Sequence, residues 1–202
     1  GRADLFGSNA TLIAVLPYLL PMSFGTMVAA IMAGPRSALL TGLLVGLFHS
    51  AMQGSDLHTF VATTAGALMA AVFCRDVRLR SRLVRAGMIG GCVVALFALG
   101  FELPSGFEPA VALPQMLAAV VVGTLVGVMV IGALPLFEYL FKVTTEVTLL
   151  ELTDFNHPLL RRMQLEAPGT YHHSLMVANL AENAALAVGG NPLLCRTCSL
   201  FH

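Results

Sequence analysis

The chain has 202 residues, of which 57% are hydrophobic and only 11% are charged. A soluble domain usually has about 25% charged residues, so this composition leaves too little polar surface for a single soluble domain. Eleven basic residues balance eleven acidic ones, and the zero net charge argues against a DNA- or RNA-binding protein. The composition therefore predicts a protein whose main partner is a lipid bilayer.

The charged residues are distributed unevenly along the chain. The only charged residues in 5–74 are Arg36 and Asp56, and the only charged residues in 86–141 are three glutamates. From Lys142 onward the charge density is that of an ordinary soluble segment. We therefore predict a membrane domain over residues 1–141, followed by a polar segment.

The membrane domain contains five apolar runs. A membrane-crossing helix needs about 20 apolar residues, and no run shows the alternation of a barrel strand. We predict five helical spans, over about residues 10–33, 38–52, 57–74, 84–101 and 112–134. The middle runs are short, and a pair of re-entrant or core helices is the alternative. Pro17 and Pro21 are expected to bend the first span.

Basic residues indicate the orientation of these spans. One short loop is expected to carry five arginines, and another carries Arg36; the five are Arg75, Arg78, Arg80, Arg82 and Arg85. Because Lys and Arg concentrate on the cytoplasmic side of a membrane, a five-span topology places both loops inside. The N-terminus is then outside, and the polar C-terminal segment is cytoplasmic.

Glycine pairs spaced by four residues occur in three of the predicted spans: Gly42/Gly46, Gly87/Gly91 and Gly123/Gly127. This spacing permits close helix packing, either within the bundle, which we favour, or in a homodimer. No charged residue lies deep in a span, which argues against a transporter. Three polar residues flank an outer loop and form either a site or an interfacial polar group: His49, Asp56 and His58.

Residues 142–166 are predicted to form a connecting helical segment that continues the last span, with a break before Pro158. Its apolar side chains lean toward one face, namely Val147, Leu150, Phe155 and Leu159. A second helix is predicted from about Tyr171 to Val188, with Thr170 as its N-cap and Gly189-Gly190 as its end. Asn191-Pro192 opens a third helix.

Cys195 and Cys198, in that third helix, have the spacing of a zinc or redox half-site. A zinc site needs two further ligands, and a helix also buries cysteine readily, so both interpretations remain.

Two histidines are predicted to meet between these helices. The apolar stripe of the second helix leads back to His173; its members are Val177, Leu180, Ala181, Ala184 and Val188. From His173 to Val188 the chain rises by about 22 Å, and from Pro192 to His202 it returns by about 15 Å. An antiparallel pair thus brings His202 near His173, in a shared buried pocket. The two imidazoles are either core residues or metal ligands.

Three motifs in the polar segment carry a family resemblance: ELTDFNHPLL at 151–160, EAPGTYHHS at 166–174 and NLAE at 179–182. The segment closely resembles the seven-transmembrane HD-domain phosphohydrolases, the PgpH-like cyclic di-AMP phosphodiesterases, and the spans resemble them more loosely. The resemblance implies an all-α protein of the bacterial cytoplasmic (inner) membrane. In it, a polytopic helical bundle is followed by the first helices of a cytoplasmic HD domain, over residues 167–202.

The resemblance also implies the chemistry. The family holds two divalent transition metal ions, Mn or Fe, through His and Asp side chains, and His173 and His202 match its first two ligands. Such a pair of ions activates a water molecule and stabilises charge on a phosphate, here to hydrolyse cyclic di-AMP to the linear dinucleotide. Because the family's next ligand is the Asp after the residue matching His202, we expect an interior fragment that is inactive alone. The alternative is a non-catalytic membrane receptor or scaffold with a degenerate HD fold.

Overall fold

The structure is a computed structural model that describes residues 14–74, 80–106 and 109–202. All regular secondary structure in these ranges is helical, which confirms the predicted all-α fold. The chain divides into two compact units, Gly1–Val143 and Thr144–His202. The first unit contains the apolar helices and the second contains the three sequence motifs.

The described part of the first unit consists of a 3₁₀ turn and five helices. They are the turn Leu16–Leu19, α1 (Ser23–Ala33), α2 (Pro35–Met52), α3 (Leu57–Phe73), α4 (Arg80–Gly106) and α5 (Pro109–Phe141). Three segments are long and apolar enough to cross a membrane: Leu16–Ala33, Arg80–Leu103 and Pro109–Phe141. Helix α3 is apolar but shorter. The structure thus supports a membrane protein, and the five-span topology stays a prediction.

The first predicted span, which is expected to bend at Pro17 and Pro21, is interrupted there. Pro17 and Pro21 have no backbone N–H, so neither can donate the hydrogen bond that a continuous helix needs. Leu20 is extended, with φ −84° and ψ 132°, between the 3₁₀ turn and α1. Residues 10–13 of this predicted span lie outside the described residues.

Helices α4 and α5 pack through two of the three glycine pairs. A β-carbon added to Gly123 would lie 2.5 Å from the carbonyl oxygen of Gly87 and 2.8 Å from the Cα of Gly91. A β-carbon on Gly127 would lie 2.6 Å from the carbonyl oxygen of Leu83. Neither position has room for a side chain, because the two backbones touch. The interpretation of these pairs as packing within the bundle is therefore confirmed for α4 and α5.

Two helices of this unit extend beyond the predicted spans. Arg80, Arg82 and Arg85 lie in the first turns of α4 rather than in a loop, which is consistent with the high helix propensity of arginine. Arg75 and Arg78 lie outside the described residues. Helix α5 continues to Phe141, past residue 134 where the predicted span ends, and contains Pro135 in its interior.

The polar residues around residue 56 divide into a buried histidine, His49, and a more exposed pair, in which the Nδ1 of His58 lies 3.6 Å from a carboxylate oxygen of Asp56. His49 is 3% exposed and its Nδ1 lies 3.0 Å from the hydroxyl of Thr63, so it belongs to the bundle interior. Asp56 is the N-cap of α3 and accepts hydrogen bonds from the backbone N–H and the hydroxyl of Thr59, at 3.0 and 2.8 Å. The Thr59 hydroxyl is the main cause that lowers the pKa of Asp56. His58 stacks on Phe101, with ring centres 4.3 Å apart.

The second unit contains four helices in its described residues: α6 (Glu146–Leu152), α7 (Pro158–Glu166), α8 (Pro168–Val188) and α9 (Pro192–Leu200). The predicted connecting segment over residues 142–166 is helical in part, but it does not continue α5. Lys142 has a positive φ of 52°, and residues 142–145 are not helical. The break predicted before Pro158 is present, because a second break at residues 153–157 separates α6 from α7.

This second break also changes which side chains are buried. Val147 and Leu149 are buried on α6, whereas Phe155 and Leu159 are 49% and 59% exposed. A single helical period cannot run through a non-helical segment, so the predicted common apolar face does not exist. The core of this unit consists instead of Leu160, Ala178 and Leu200, with Met163 and Leu175 packed around them.

Candidate functional site

The predicted histidine site lies on α8 and α9, and local sequence determines where these helices begin and end. Helix α8 begins at Pro168, so Thr170 lies in its first turn and the predicted N-cap is wrong. Proline is favoured at this position because the first helical N–H needs no partner. The helix ends at Gly189, whose φ of 72° suits a glycine C-cap. Asn191 then caps α9 by accepting the N–H of Leu194 at 3.0 Å.

The buried face of α8 differs from the predicted apolar stripe. The buried residues are Tyr171, Ser174, Ala178 and Ala185. By contrast, Leu180 and Val188 of the predicted stripe are 69% and 83% exposed. The small side chains on this face let α8 approach its neighbours closely. A prediction from hydrophobicity alone instead assigns the bulky side chains to the buried face. His173 is therefore exposed, and its predicted position in the core is wrong.

The structure brings His173 and His202 together. Their ring centres lie 5.7 Å apart, and the ring planes are inclined by 52°. Both side chains are exposed, so they share an open surface and not the buried pocket that the sequence analysis predicts. The pairing follows from the antiparallel return of α9 along α8.

The distance between the two rings is close to that of two imidazoles that share one metal ion. With metal–nitrogen bonds of about 2.1 Å, such rings have centres roughly 4.5–5.6 Å apart, compared with 5.7 Å here. The Nδ1 of His202 lies 2.8 Å from the carbonyl oxygen of Ser199, to which it donates its proton. This leaves the lone pair on Nε2. A histidine metal ligand typically has its other nitrogen tied in this way, so the contact with Ser199 suits His202 to this role.

The described residues do not supply a complete ligand set. No group of three or more His, Cys, Asp or Glu side chains is placed to hold a metal within residues 14–74, 80–106 and 109–202. Cys195 and Cys198 are free thiols on α9, half-buried and exposed respectively. The cysteine pair therefore gains no further ligand from the described part of the chain.

An ion pair that the sequence analysis missed fastens α9 to α8. The guanidinium of Arg196 donates to the carboxylate of Glu182 and, at 3.2 Å, to the side-chain oxygen of Asn179. Asn179 and Glu182 are three residues apart on α8 and so share one face. The sequence contained a signal for this contact: the spacing of Asn179 and Glu182 in the NLAE motif, together with the only arginine of α9.

Two buried polar atoms near the site also escaped the sequence analysis. The hydroxyl of Ser174 is fully buried, and the Nδ1 of His157 is buried as well; neither has a hydrogen-bond partner in the described residues. The His157 ring packs edge-on against Phe201, with centres 5.5 Å apart. His157 therefore contacts the residue that directly precedes His202.

Comparison with known proteins identifies relatives of this chain. The family model described as "7TM receptor with intracellular HD hydrolase" matches residues 5–145. The cyclic-di-AMP phosphodiesterase PgpH of Bacillus subtilis is 32% identical over 200 residues, which cover 92% of this chain and 27% of that protein. The PgpH of Listeria monocytogenes is 32% identical over 195 residues, covering 94% of this chain and 27% of that protein.

An uncharacterized protein of Synechocystis is 34% identical over 175 residues, which cover 84% of this chain and 22% of that protein. No solved structure gives a significant match. The chain spans about a quarter of the length of the curated relatives that it matches. Because the family model covers well over half of the chain, the chain belongs to the family of 7TM receptors with an intracellular HD hydrolase.

Proposed function

We propose that this chain is part of a membrane-anchored, metal-dependent phosphohydrolase that opens cyclic di-AMP to the linear dinucleotide. The observation that carries the proposal is the pairing of His173 with His202 at 5.7 Å. Two curated relatives, each 32% identical to this chain, are named as cyclic-di-AMP phosphodiesterases. The substrate is inferred from those names, and the metal-binding role is inferred from the histidine geometry.

In this proposal, His173 and His202 hold one of two divalent ions, Mn or Fe. Ions held in this way supply an activated water and stabilise negative charge on the phosphate. Ser199 keeps the His202 ring oriented through its carbonyl oxygen, and the Arg196–Glu182 pair holds α9 on α8. Ser174 has a buried hydroxyl, so the chain's own serine at this site does not act as the nucleophile.

We propose further that the membrane domain is multi-pass in the bacterial cytoplasmic membrane, with the HD segment inside. The support is the position of the basic residues. Arg80, Arg82 and Arg85 lie together at the start of α4, whereas the segment between α2 and α3 contains Asp56 and no Lys or Arg. Since Lys and Arg concentrate on the cytoplasmic side, the start of α4 is expected to lie inside.

The proposal is tested in the complete protein from which this chain comes, purified in detergent with Mn²⁺. Cyclic di-AMP is added and the linear product is separated by liquid chromatography. His173→Ala should lower the rate by at least about 100-fold, because it removes a metal ligand. His172→Ala is the matched control: this neighbouring ring is exposed and packs on Tyr171 at 5.7 Å, so near-normal cleavage is expected.

Two results would contradict the proposal. Robust cleavage by His173→Ala would show that the ligand assignment is wrong. Absence of cleavage by the unmodified protein, together with binding of cyclic di-AMP, would instead support a non-catalytic receptor with a degenerate HD fold.

A further inference from the structure

Helix α7 buries one face in the core of the second unit and exposes the other. On the buried face, Leu160 is 1% exposed and Met163 packs beside it, so this contact fixes the orientation of the helix. On the opposite face, Leu159 and Leu165 are exposed, and Leu165 is 77% exposed. Phe155, in the segment before α7, is exposed as well. A helix of fixed orientation therefore presents large apolar side chains outward.

Two arginines flank the centre of this exposed surface. Leu165 follows Arg161 by four residues and Arg162 by three, so it is adjacent to both on the surface of the helix. Pro158 precedes the same two arginines by three and four residues and is adjacent to them on the other side. These side chains line an open groove of about 400 Å³, which we call the α7 face; its wall consists of Asn156, Pro158, Arg161, Arg162, Leu165 and Glu166.

The α7 face carries a positive charge that the second unit does not neutralise. Arg162 forms an ion pair with Glu166, in which the Nε lies 3.0 Å from a carboxylate oxygen. Arg161 is exposed and has no ion-pair or hydrogen-bond partner among the described residues. The third arginine of the unit, Arg196, is paired with Glu182. Within the described second unit, Arg161 is therefore the guanidinium that can bind an external anion.

The connection to the membrane domain limits how far the α7 face can lie from a bilayer. Helix α5 is long and apolar enough to cross a membrane, and it ends at Phe141. Even if residues 142–157 were fully extended, they would span at most about 55 Å. A tether of this length keeps the α7 face at a high effective concentration near the lipid surface. Contacts that are weak individually are then enough to hold the face there.

The chemistry of the α7 face matches that of an anionic lipid surface. A guanidinium binds phosphate oxygens through paired N–H groups, and exposed leucine side chains of a surface helix insert at the boundary between headgroups and acyl chains. A soluble phosphate would satisfy Arg161 but would leave Leu165 in water. We propose that the α7 face docks on an anionic bilayer, with Arg161 on the lipid phosphates and Leu165 at the acyl boundary. This proposal is independent of the phosphohydrolase function.

The test uses the fluorescence of a single introduced indole, because the chain contains no tryptophan. The whole chain carrying Leu165→Trp is placed in nanodiscs of phosphatidylglycerol and phosphatidylcholine, with and without a lipid that bears a nitroxide on its headgroup. The nitroxide quenches only nearby indoles and should lower the emission at least about threefold. Val188→Trp is the matched control, because Val188 is 83% exposed on α8 and does not belong to the α7 face. Its emission should fall by less than about a fifth.

A second pair of variants, combined with Leu165→Trp, tests the role of charge. Arg161→Gln should remove most of the quenching, as should nanodiscs of phosphatidylcholine alone or high salt. Glu166→Gln releases Arg162 from its ion pair and should lower the phosphatidylglycerol fraction that gives half-maximal quenching by about twofold. Both residues are exposed, so the thermal midpoint should not change in either variant.

Three results would overturn the proposal. The first is equal quenching at the two indole positions, since the α7 face is then not the part that meets the bilayer. The second is quenching at position 165 that does not depend on lipid charge or on Arg161. The third is recovery of the emission on addition of excess inorganic phosphate, because the groove then binds a soluble anion in preference to lipid.

Discussion

The imidazole rings of His173 and His202 face each other with centres 5.7 Å apart, although they lie at opposite ends of the α8–α9 segment of the sequence. The carbonyl oxygen of Ser199 orients the His202 ring by accepting a hydrogen bond from its Nδ1–H at 2.8 Å. Two oriented imidazoles are a partial metal site, since transition metals in proteins usually take three or four protein ligands. Because the site has only two ligands, the chain by itself should bind metal weakly.

We expect the 202-residue chain to bind Mn²⁺ or Fe²⁺ weakly, because its described residues contain no group of three or more potential ligands. After equilibration with metal and removal of the excess by gel filtration, elemental analysis should find substoichiometric metal. His173→Ala should abolish even the weak binding seen by calorimetry, whereas His172→Ala should not change it. Tight retention of two ions would show that a complete site exists in this chain.

The close contact between α4 and α5 leads to a second prediction. Gly123→Leu forces a side chain against the Gly87 carbonyl oxygen, which lies 2.5 Å from the position of a β-carbon. The backbones must separate, and overpacking of this kind costs about 1–3 kcal/mol or more. The thermal midpoint of the chain in detergent should fall clearly, or folded protein should not be recovered.

Gly132→Leu is the control for this variant. Gly132 lies in the same helix, and a β-carbon there has no neighbour within 4 Å. Its thermal midpoint should stay close to that of the unmodified chain. Equal losses in the two variants would mean that the α4–α5 contact is not responsible, since replacing glycine by leucine raises helix propensity at both positions.

The sequence predicted the proximity of His173 and His202 because helix rise per residue is constant and because Gly189 and Asn191 mark the helix ends. It did not predict which face of α8 is buried. Hydrophobicity selects bulky residues such as Leu180, but close packing of helices selects small ones such as Ala178, which is fully buried.

Long-range polar contacts were harder still to predict. The contact of His49 with Thr63 joins two different helices. The pairing of Arg196 with Glu182 likewise depends on how α9 packs on α8. Sequence periodicity predicts the direction of each side chain around its own helix. It does not predict which residue of a neighbouring helix that side chain contacts. The prolines of the first span could be interpreted correctly because their effect on the backbone is local.

Asp56 should make the stability of the membrane domain depend on pH. Hydrogen bonds from Thr59 are the main cause that lowers the pKa of this carboxyl group in the folded chain. A lowered pKa means that the ionised form stabilises the fold; this contribution is fully present above the unfolded pKa of about 3.9. It is lost as the pH falls through the folded pKa. The thermal midpoint should therefore decline below about pH 4.

Two variants separate the charge of Asp56 from its role as the N-cap of α3. Asp56→Asn keeps a good cap and should remove this part of the acid-induced decline. Asp56→Ala removes the cap and should cost about 1 kcal/mol at neutral pH. If Asp56→Asn shows the same decline below pH 4 as the unmodified chain, other carboxylates cause it.

The Arg196–Glu182 pair should contribute more to stability than an exposed pair of the same chemistry. Its side chains are 24% and 33% exposed, and Arg196 also donates to Asn179. Arg196→Met should cost about 1–2 kcal/mol, because it leaves the Glu182 carboxylate half-buried without its partner. A double-mutant cycle with Glu182→Gln, followed by chemical denaturation, should give a coupling energy of about 1 kcal/mol.

Arg162 and Glu166 provide the comparison, since they form an ion pair four residues apart on α7 with side chains 71% and 63% exposed. Solvent screens such a pair, so Arg162→Met should cost at most about 0.5 kcal/mol. Arg196→Met should also weaken metal binding at His202, because α9 is then held less firmly on α8, whereas Arg162→Met should not. If both arginine variants lose the same stability and bind metal alike, the Arg196 contact does not position α9.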